Sequence, residues 1–341
     1  MTPFVSRAML VTGGAGFIGS NFVRHMLETD SRVRIVNLDA LTYAGSLDNL
    51  RDLPGEGRHV FVRGDICERA LIDRLLREHH IDTVVHFAAE SHVDNSIAGP
   101  EAFVRTNVLG TFALLDAARQ YWLQERGWDA RQCRFHHIST DEVYGTLKAD
   151  DPAFTEVTPY APNSPYSASK AGSDHLVRAW FHTYGLPVTT SNCSNNYGPH
   201  QHGEKFIPTV IRSCLAQETI PVYGNGSNIR DWLYVGDHCH GIDAVIRRGG
   251  IGEVYNIGGR NEYSNLEVVK LICGIMDELV PQGAPHVRLI SFVTDRPGHD
   301  WRYAIDSGKI WHRLGWRPQE GFESGLRKTV AWYLEMLEEK A

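Results

Sequence analysis

Between Ser139 and Lys170 the chain gathers a hydroxyl, two adjacent carboxylates, a phenol and an amine. Thr140, Asp141 and Glu142 follow an apolar run over residues 135–138, and Tyr166-Ser167-Ala168-Ser169-Lys170 closes the stretch. These are the groups a redox elimination at a sugar requires. Tyr166 and Lys170 are four apart, so on a helix they share one face. A lysine cation beside a phenol favours the phenolate and lowers its pKa from about 10. A phenol tuned in this way takes a proton from an alcohol near neutral pH. A tyrosine and a lysine at this spacing are common on solvated helices, so the meaning of the pair rests on what surrounds it.

The elements that must position these groups read as alternating strands and helices. Residues 8–11 form a short apolar strand that runs into Thr12-Gly13-Gly14-Ala15-Gly16-Phe17-Ile18-Gly19-Ser20. Gly14, Gly16 and Gly19 fit the dinucleotide fingerprint, with Gly13 in a second register; such glycines permit a tight turn and a close approach of backbone to pyrophosphate. The next helix, over about residues 17–28, points its first amides at the phosphates. A second strand, residues 33–38, ends in Asp39, where a carboxylate accepts from a ribose 2′-hydroxyl and repels a 2′-phosphate, favouring NAD over NADP. A third strand, residues 59–63, leads to Asp65, which either accepts from an adenine amine or caps the next helix. A fourth, residues 83–87, leads to Ala88-Ala89-Glu90-Ser91-His92-Val93, whose small residues let the chain come near a nucleotide. A long helix is expected over residues 101–120, with Phe103, Val104, Val108, Leu109, Phe112 and Leu115 on a core or subunit-interface face, and with Thr106 and Asn107 needing polar partners if buried. Strands at residues 135–139 and 187–191 complete the series, and Thr140, Asp141 and Glu142 fall at the carboxyl end of the fifth, the edge where such sheets bind ligands. The expected fold is α/β: a doubly wound parallel Rossmann sheet with a smaller α/β C-terminal substrate domain. The expected division is residues 1–195 for the NAD-binding domain, which also receives segments around 229–258, and 196–341 for the substrate domain.

Composition narrows the function classes. The chain has 341 residues, a net charge of -7 and a pI near 6.2, which argues against a nucleic-acid partner. No run is long and apolar enough to span a bilayer, and no signal-peptide segment precedes the first strand. Cys67, Cys133, Cys193, Cys214, Cys239 and Cys273 are scattered without a Cys-x-x-Cys, as in a cytoplasmic protein with reduced thiols. His238-Cys239-His240 and His200-Gln201-His202 lack the spacing of a structural zinc site, so no metal is expected.

Beyond Ser191 the pattern changes to short, turn-flanked segments. Asn192-Cys193-Ser194-Asn195-Asn196-Tyr197-Gly198-Pro199, Lys205-Phe206-Ile207-Pro208, Val222-Tyr223-Gly224, Arg230-Asp231-Trp232 and Arg296-Pro297-Gly298-His299-Asp300 combine basic residues with aromatics. Such a set suits a phosphorylated ligand with a ring to pack. The residues alone give an NAD-linked redox enzyme acting on an alcohol of a phosphorylated substrate.

On these motifs the chain resembles the extended short-chain dehydrogenase/reductase family, and within it the nucleotide-sugar 4,6-dehydratases. The likeness runs from Thr12 to about Trp316, and its most specific element is Thr140-Asp141-Glu142 combined with Tyr166 and Lys170. Related epimerases keep the hydroxyl and the Tyr-x-x-x-Lys without the Asp-Glu pair. Asn95 and Trp301 depart from the family pattern, where arginine is common at both places. The resemblance implies dTDP-glucose as substrate, NAD as a cofactor recycled within the cycle, and a homodimer pairing helices near residues 101–120 and 166–184. It implies that Tyr166 takes the C-4 hydroxyl proton, that Lys170 holds the phenolate, and that Thr140 hydrogen-bonds near the C-4 oxygen. Glu142 then removes the C-5 proton while protonated Asp141 assists loss of the C-6 hydroxyl. It further places Gly13, Gly16, Phe17, Ile18, Gly19, Asp39, Thr42, Asp65, Ile66, Phe87, Ala88, Ala89, Ser91, Thr106 and Asn196 by the cofactor. Ser91, Thr140, Asn195, Lys205, Phe206, Tyr223, Arg230, Asn265, Arg296 and His299 lie by the sugar nucleotide, with Arg230 and Arg296 on the diphosphate. The rival readings are a sugar-nucleotide 4-epimerase or decarboxylase, disfavoured by Asp141-Glu142; a GDP-mannose dehydratase, disfavoured by Asp39; and a non-catalytic NAD(H)-binding sensor, which has no use for the five reacting residues.

Overall fold

A computed structural model describes residues 3–295 and 298–338. The strands are β1 (Ala8–Thr12), β2 (Arg34–Asp39), β3 (His59–Arg63), β4 (Thr83–His86), β5 (Arg134–Thr140), β6 (Val188–Cys193), β7 (Asn195–Tyr197), β8 (Ile220–Tyr223), β9 (Ile229–Tyr234), β10 (Val254–Ile257), β11 (Glu262–Ser264) and β12 (Ile290–Val293). The helices are α1 (Phe17–Thr29), α2 (Arg69–Glu78), α3 (Val93–Ala98), α4 (Pro100–Phe103), α5 (Thr111–Ala118), α6 (Pro165–Tyr184), α7 (Phe206–Ala216), α8 (Val235–Arg248), α9 (Asn265–Leu279), α10 (Gly308–Leu314) and α11 (Phe322–Glu338).

Seven parallel strands form the main sheet in the order β3-β2-β1-β4-β5-β6-β10. Strand order reverses between β1 and β4, so the crevice at their carboxyl ends is the place for a ligand. β1, β4, β5 and β6 are buried along their whole length, as strands covered on both faces must be. One face is covered by α1, α8 and α10, whose core gathers Phe22, Met26, Ile242 and Ile310. The other is covered by α2, α5 and α6, around Leu75, Leu114, Trp122 and Val177. β10 lies beside β6 although sixty residues of chain separate them, so the sheet is completed by a segment that has already left it. The remaining strands make two small sheets, β11-β9-β7 and β12-β8, packed with α7, α9 and α11 about Ile211, Ile272 and Leu326.

The expected regular helix over residues 101–120 is interrupted. α4 passes into a π-helical stretch (Val104–Gly110), then α5, then a second one (Arg119–Glu125). Each i→i+5 turn admits an extra residue and rotates the next part of the helix, so the apolar residues do not stay on one face. Phe103 and Leu115 point into the core, whereas Val104, Leu109 and Phe112 face outward. Asn107 turns inward. Its Oδ1 accepts from the Glu90 amide at 2.8 Å, and its Nδ2 donates to the Glu90 carbonyl at 3.0 Å and to Ser169 Oγ at 2.8 Å. One buried amide thus ties the loop after β4 to helix α6, answering the expectation that it would need polar partners. Replacing it with alanine orphans the Glu90 backbone and leaves a gap, so Asn107→Ala should lower unfolding free energy by about 2–4 kcal/mol, read from the urea midpoint.

Candidate active site

The cleft opens at the carboxyl ends of β1, β2, β4, β5 and β6 and has a volume of about 350 Å³. Its nucleotide-sized half is built by the glycine turn. Gly13 has φ +72°, and a Cβ there would stand 2.6 Å from the Ala88 amide nitrogen; at Gly19 it would stand 2.2 Å from the Gly13 carbonyl oxygen. The first turn of α1 has no side-chain cap and no carboxylate, leaving its amides free of a competing anion. Asp39 closes the turn from β2: Oδ2 accepts from the Ala15 amide at 2.9 Å and Oδ1 from the Leu41 amide at 2.8 Å. These features fit a dinucleotide pyrophosphate with an adjacent ribose. Gly13, Gly16, Phe17, Ile18, Gly19, Asp39, Thr42, Asp65, Ile66, Phe87, Ala88, Ala89, Ser91, Thr106, Tyr166, Lys170 and Asn196 all line the cleft. Asp65 does not cap α2. It accepts from the Cys67 amide at 2.8 Å, two residues ahead of the helix, whose N-cap is Glu68.

The reacting groups meet where β5 ends and α6 begins. Ser164 and Ser167 form a reciprocal capping box, Pro165 occupies the first turn, and Gly185 ends the helix in a left-handed conformation. α6 therefore starts at a fixed place and sets Tyr166 and Lys170 across from Thr140 and Glu142 on the cleft wall. Asp141 sits behind that wall, 1% exposed, with Oδ2 lacking a hydrogen-bond partner and Oδ1 facing Thr140 Oγ1 at 3.4 Å. Burial pushes its carboxyl well above the usual range, and the charges of Glu142 and Asp231 push it further. Arg230 opposes this from nearby. Glu142 is half-buried, so the two neighbouring carboxylates occupy unlike environments.

The expectation that Lys170 lowers the Tyr166 pKa needs correction. Burial drives the phenol well above its usual value, with Glu142 and Cys193 adding to the rise. Lys170 Nζ donates to the Ile138 carbonyl at 2.7 Å, and burial brings its own pKa down to about 8. Burial therefore opposes the phenolate that helical spacing alone suggests.

The residues expected at the sugar nucleotide divide into two groups. Ser91, Thr140, Asn195 and Lys205 line the cleft, with Lys205 Nζ 3.1 Å from the Ser91 carbonyl oxygen. Phe206, Tyr223, Arg230, Asn265 and His299 lie outside its lining, and Arg296 falls outside the described residues. Phe206 stacks on Trp232, and Tyr223 meets His299 edge-on at 6.2 Å. The Asn265 amide donates to the Asn228 carbonyl at 2.9 Å. Expected on a diphosphate, Arg230 is 5% exposed and turned inward: NH1 donates to the Ile229 carbonyl, NH2 to the Asp300 carbonyl, and the guanidinium stacks over Tyr303. A strand-borne arginine beside so many carbonyls is satisfied by backbone first. Trp301, one of the two departures from the family pattern, contributes its backbone to the same knot.

Glu90, Cys193, Ser194, Gln201 and His202 also line the cleft, although the sequence alone assigns none of them to the site and offers His200-Gln201-His202 only as a metal motif. Glu90 and Ser194 stand inside motifs that the sequence does single out, and Gln201 and His202 lie a few residues past the Asn196–Pro199 turn. His238 Nδ1 lies 2.9 Å from Asn196 Oδ1 and so holds a cleft residue. Among the described residues no three His, Cys, Asp or Glu side chains converge as metal ligands would.

Comparison with known proteins agrees with this geometry. A family model described as GDP-mannose 4,6 dehydratase matches residues 10–329. A dTDP-glucose 4,6-dehydratase of Xanthomonas campestris pv. campestris (strain B100) is 60% identical over 330 residues, spanning 95% of this chain and 92% of that one. Among solved structures, the dTDP-glucose 4,6-dehydratase of Streptomyces venezuelae with NAD and dTDP bound superposes with a TM-score of 0.87 at 47% identity, over 96% of this chain and 97% of that one. That of Bacillus anthracis, solved with NAD, gives 0.85 at 44% identity over 97% of both chains. With the sheet order, the glycine turn and the Thr-Asp-Glu run all in place, the chain belongs to the dTDP-glucose 4,6-dehydratase family of extended short-chain dehydrogenases/reductases.

Proposed function

We infer that this chain is an NAD-dependent hydro-lyase that converts dTDP-glucose to dTDP-4-keto-6-deoxy-glucose. The observation that carries the reading is a buried Asp141 next to half-buried Glu142 at the carboxyl end of β5, with Glu142, Tyr166 and Lys170 lining one cleft. NAD, when bound, would supply the acceptor for the C-4 hydride and the source of the hydride at C-6. The glycine turn and the first amides of α1 would hold its pyrophosphate, and Asp39 its adenine-side ribose.

Tyr166 Oη takes the proton of the C-4 hydroxyl. Burial disfavours the phenolate, so the reaction needs cationic charge nearby, and Lys170 carries it one helical turn along α6. Thr140 Oγ1 holds the C-4 oxygen. The new ketone acidifies the C-5 proton, which a Glu142 carboxylate oxygen accepts. Asp141, kept protonated by burial and by Glu142, donates to the departing C-6 hydroxyl, which leaves as water. Glu142 then returns its proton to C-5. At the end Tyr166 has gained a proton and Asp141 has lost one, and exchange with solvent resets both. A 4-epimerase has no elimination step and no use for such a pair.

We also propose a division in which residues 1–195 and the returning β10 hold the cofactor while the C-terminal part holds the nucleotide of the substrate. A homodimer is supported by the outer face of the interrupted helix: Val104, Leu109 and Phe112 are 52%, 55% and 44% exposed, beside Trp180 and Tyr184 of α6. Such a stripe suits a second copy of the same helices. No helix among the described residues is long and apolar enough to cross a membrane, and the free, mostly buried thiols suit the cytoplasm.

Purified protein incubated with dTDP-glucose should give the alkali-induced absorbance of a 4-keto-6-deoxy sugar with no net NADH, and far less with UDP- or GDP-glucose; absence of keto product from all three would overturn the assignment. Asp141→Asn should cut elimination roughly 100- to 10,000-fold while sparing single-turnover oxidation at C-4. Tyr166→Phe should cost a similar factor at the oxidation itself, seen as loss of transient NADH absorbance. Leu109→Asp with Phe112→Asp should convert the dimer to monomer in analytical ultracentrifugation.

A further inference from the structure

Helix α6 carries a third charged group on the face that bears Tyr166 and Lys170. Asp174 lies one turn beyond Lys170 and is 6% exposed. Ser139 Oγ donates to its Oδ2 at 2.7 Å, Tyr160 Oη donates to the same oxygen at 2.9 Å, and His137 Nε2 faces Oδ1 at 3.0 Å. Burial holds His137 far below the usual histidine range, so it is neutral, and its Nδ1 has no hydrogen-bond partner. These three partners are uncharged. A carboxylate kept from water by neutral donors alone remains costly unless a cation is close. Lys170, one turn back on the same helix face, most opposes the rise that burial imposes on the Asp174 pKa, and His175 adds to the effect, while Lys170 Nζ itself bonds a neutral carbonyl, that of Ile138.

We propose, on the dehydratase reading given above, that Asp174 is a positioning residue for the reaction. Its carboxylate, fixed behind the catalytic lysine by Ser139, Tyr160 and His137, keeps the positive charge on Lys170 at the floor of the cleft. Ser139 and Ile138 lie next to Thr140 on β5, so one strand end orients Asp174, Lys170 and the substrate-facing hydroxyl together.

The electrostatic setting gives the proposal a pH signature. Burial brings Lys170 down to about 8 and Asp174 up to about 6. The ammonium is lost as pH rises through 8, and the carboxylate is lost as pH falls through 6. Both charges are present between these values. The other groups facing the pair are His137 on β5, His86 on β4, the Cys193 thiol on β6, His175 on α6, Tyr144 and Tyr160 on the connecting segment, and Tyr166 and Glu142 in the cleft. His86 and His137 are held neutral by burial, and the Cys193 thiol and the Tyr144 and Tyr160 phenols are pushed up, so none of these carries charge in that window.

The test compares wild type with Asp174→Asn in two measurements. In kcat against pH, the variant's alkaline limb, which reports loss of the lysine charge, should move down by about one unit, with KM for dTDP-glucose within about twofold. In the isolated protein, ¹³C NMR titration of the Lys170 ε-carbon should show the same downward displacement. A variant slowed equally at every pH, with the Lys170 titration unmoved, would reduce Asp174 to an anchor for α6 and overturn the proposal. If Asp174→Asn does not fold, Asp174→Ser removes the same charge with a smaller side chain, and the alkaline limb and the Lys170 titration should move down together; an unmoved limb counts against the proposal in the same way. Should wild type make no keto product, the dehydratase reading fails, and the NMR titration still decides whether Asp174 sustains the lysine charge.

Discussion

A polar seam between one helix and one strand sets the geometry on which this molecule depends. α6 lies against β5 through Lys170 Nζ on the Ile138 carbonyl, Ser139 Oγ on Asp174, and Ser173 Oγ with His137. Apolar side chains tolerate small slips along a seam, but directed hydrogen bonds between buried groups do not. Each of these bonds joins residues more than thirty apart in sequence, so together they fix how far α6 is advanced along the sheet. Tyr166 then falls on the cleft wall that it shares with Thr140 and Glu142.

The same burial that fixes position sets protonation. Asp141 and Tyr166 are both driven toward their neutral forms, whereas Glu142 keeps part of its surface toward the cleft. A general acid must hold its proton at neutral pH, and a sealed carboxyl beside another carboxylate does so. For the phenol the same force works against the first step, which explains why a buried amine is retained one turn away despite the cost of its own desolvation.

Much of this was legible in the sequence, and the limits come from locality. The glycine turn and Asp39 could be read directly because a tight turn depends on residues adjacent in the chain. Thr140, Asp141 and Glu142 could be placed at a strand end by the apolar run before them. The sign of the Tyr166 shift could not be read, because it depends on how completely β5, β6 and α6 exclude water. Nor could the π-helical interruption, which turns Val104, Leu109 and Phe112 outward while Asn107 turns in, since local spacing there fits a regular helix equally well. The inward turn of Arg230 depends on carbonyls of Asp300 and Trp301, which reach it only when the C-terminal part has folded.

The return of β10 to the edge of the main sheet bears on how the chain comes off the ribosome. Until Val254–Ile257 emerges, β6 is the last strand of a growing sheet and shows a bare edge of unpaired amides and carbonyls. α8 and α10, which cover the same face as α1, come later than the first six strands. The nucleotide-binding half therefore cannot close its sheet when β6 is made, and one edge stays open until Ile257 has been added. A cut at the apparent domain border, after residue 195, would leave the nucleotide-binding half without the strand that covers β6 and so topologically unfinished.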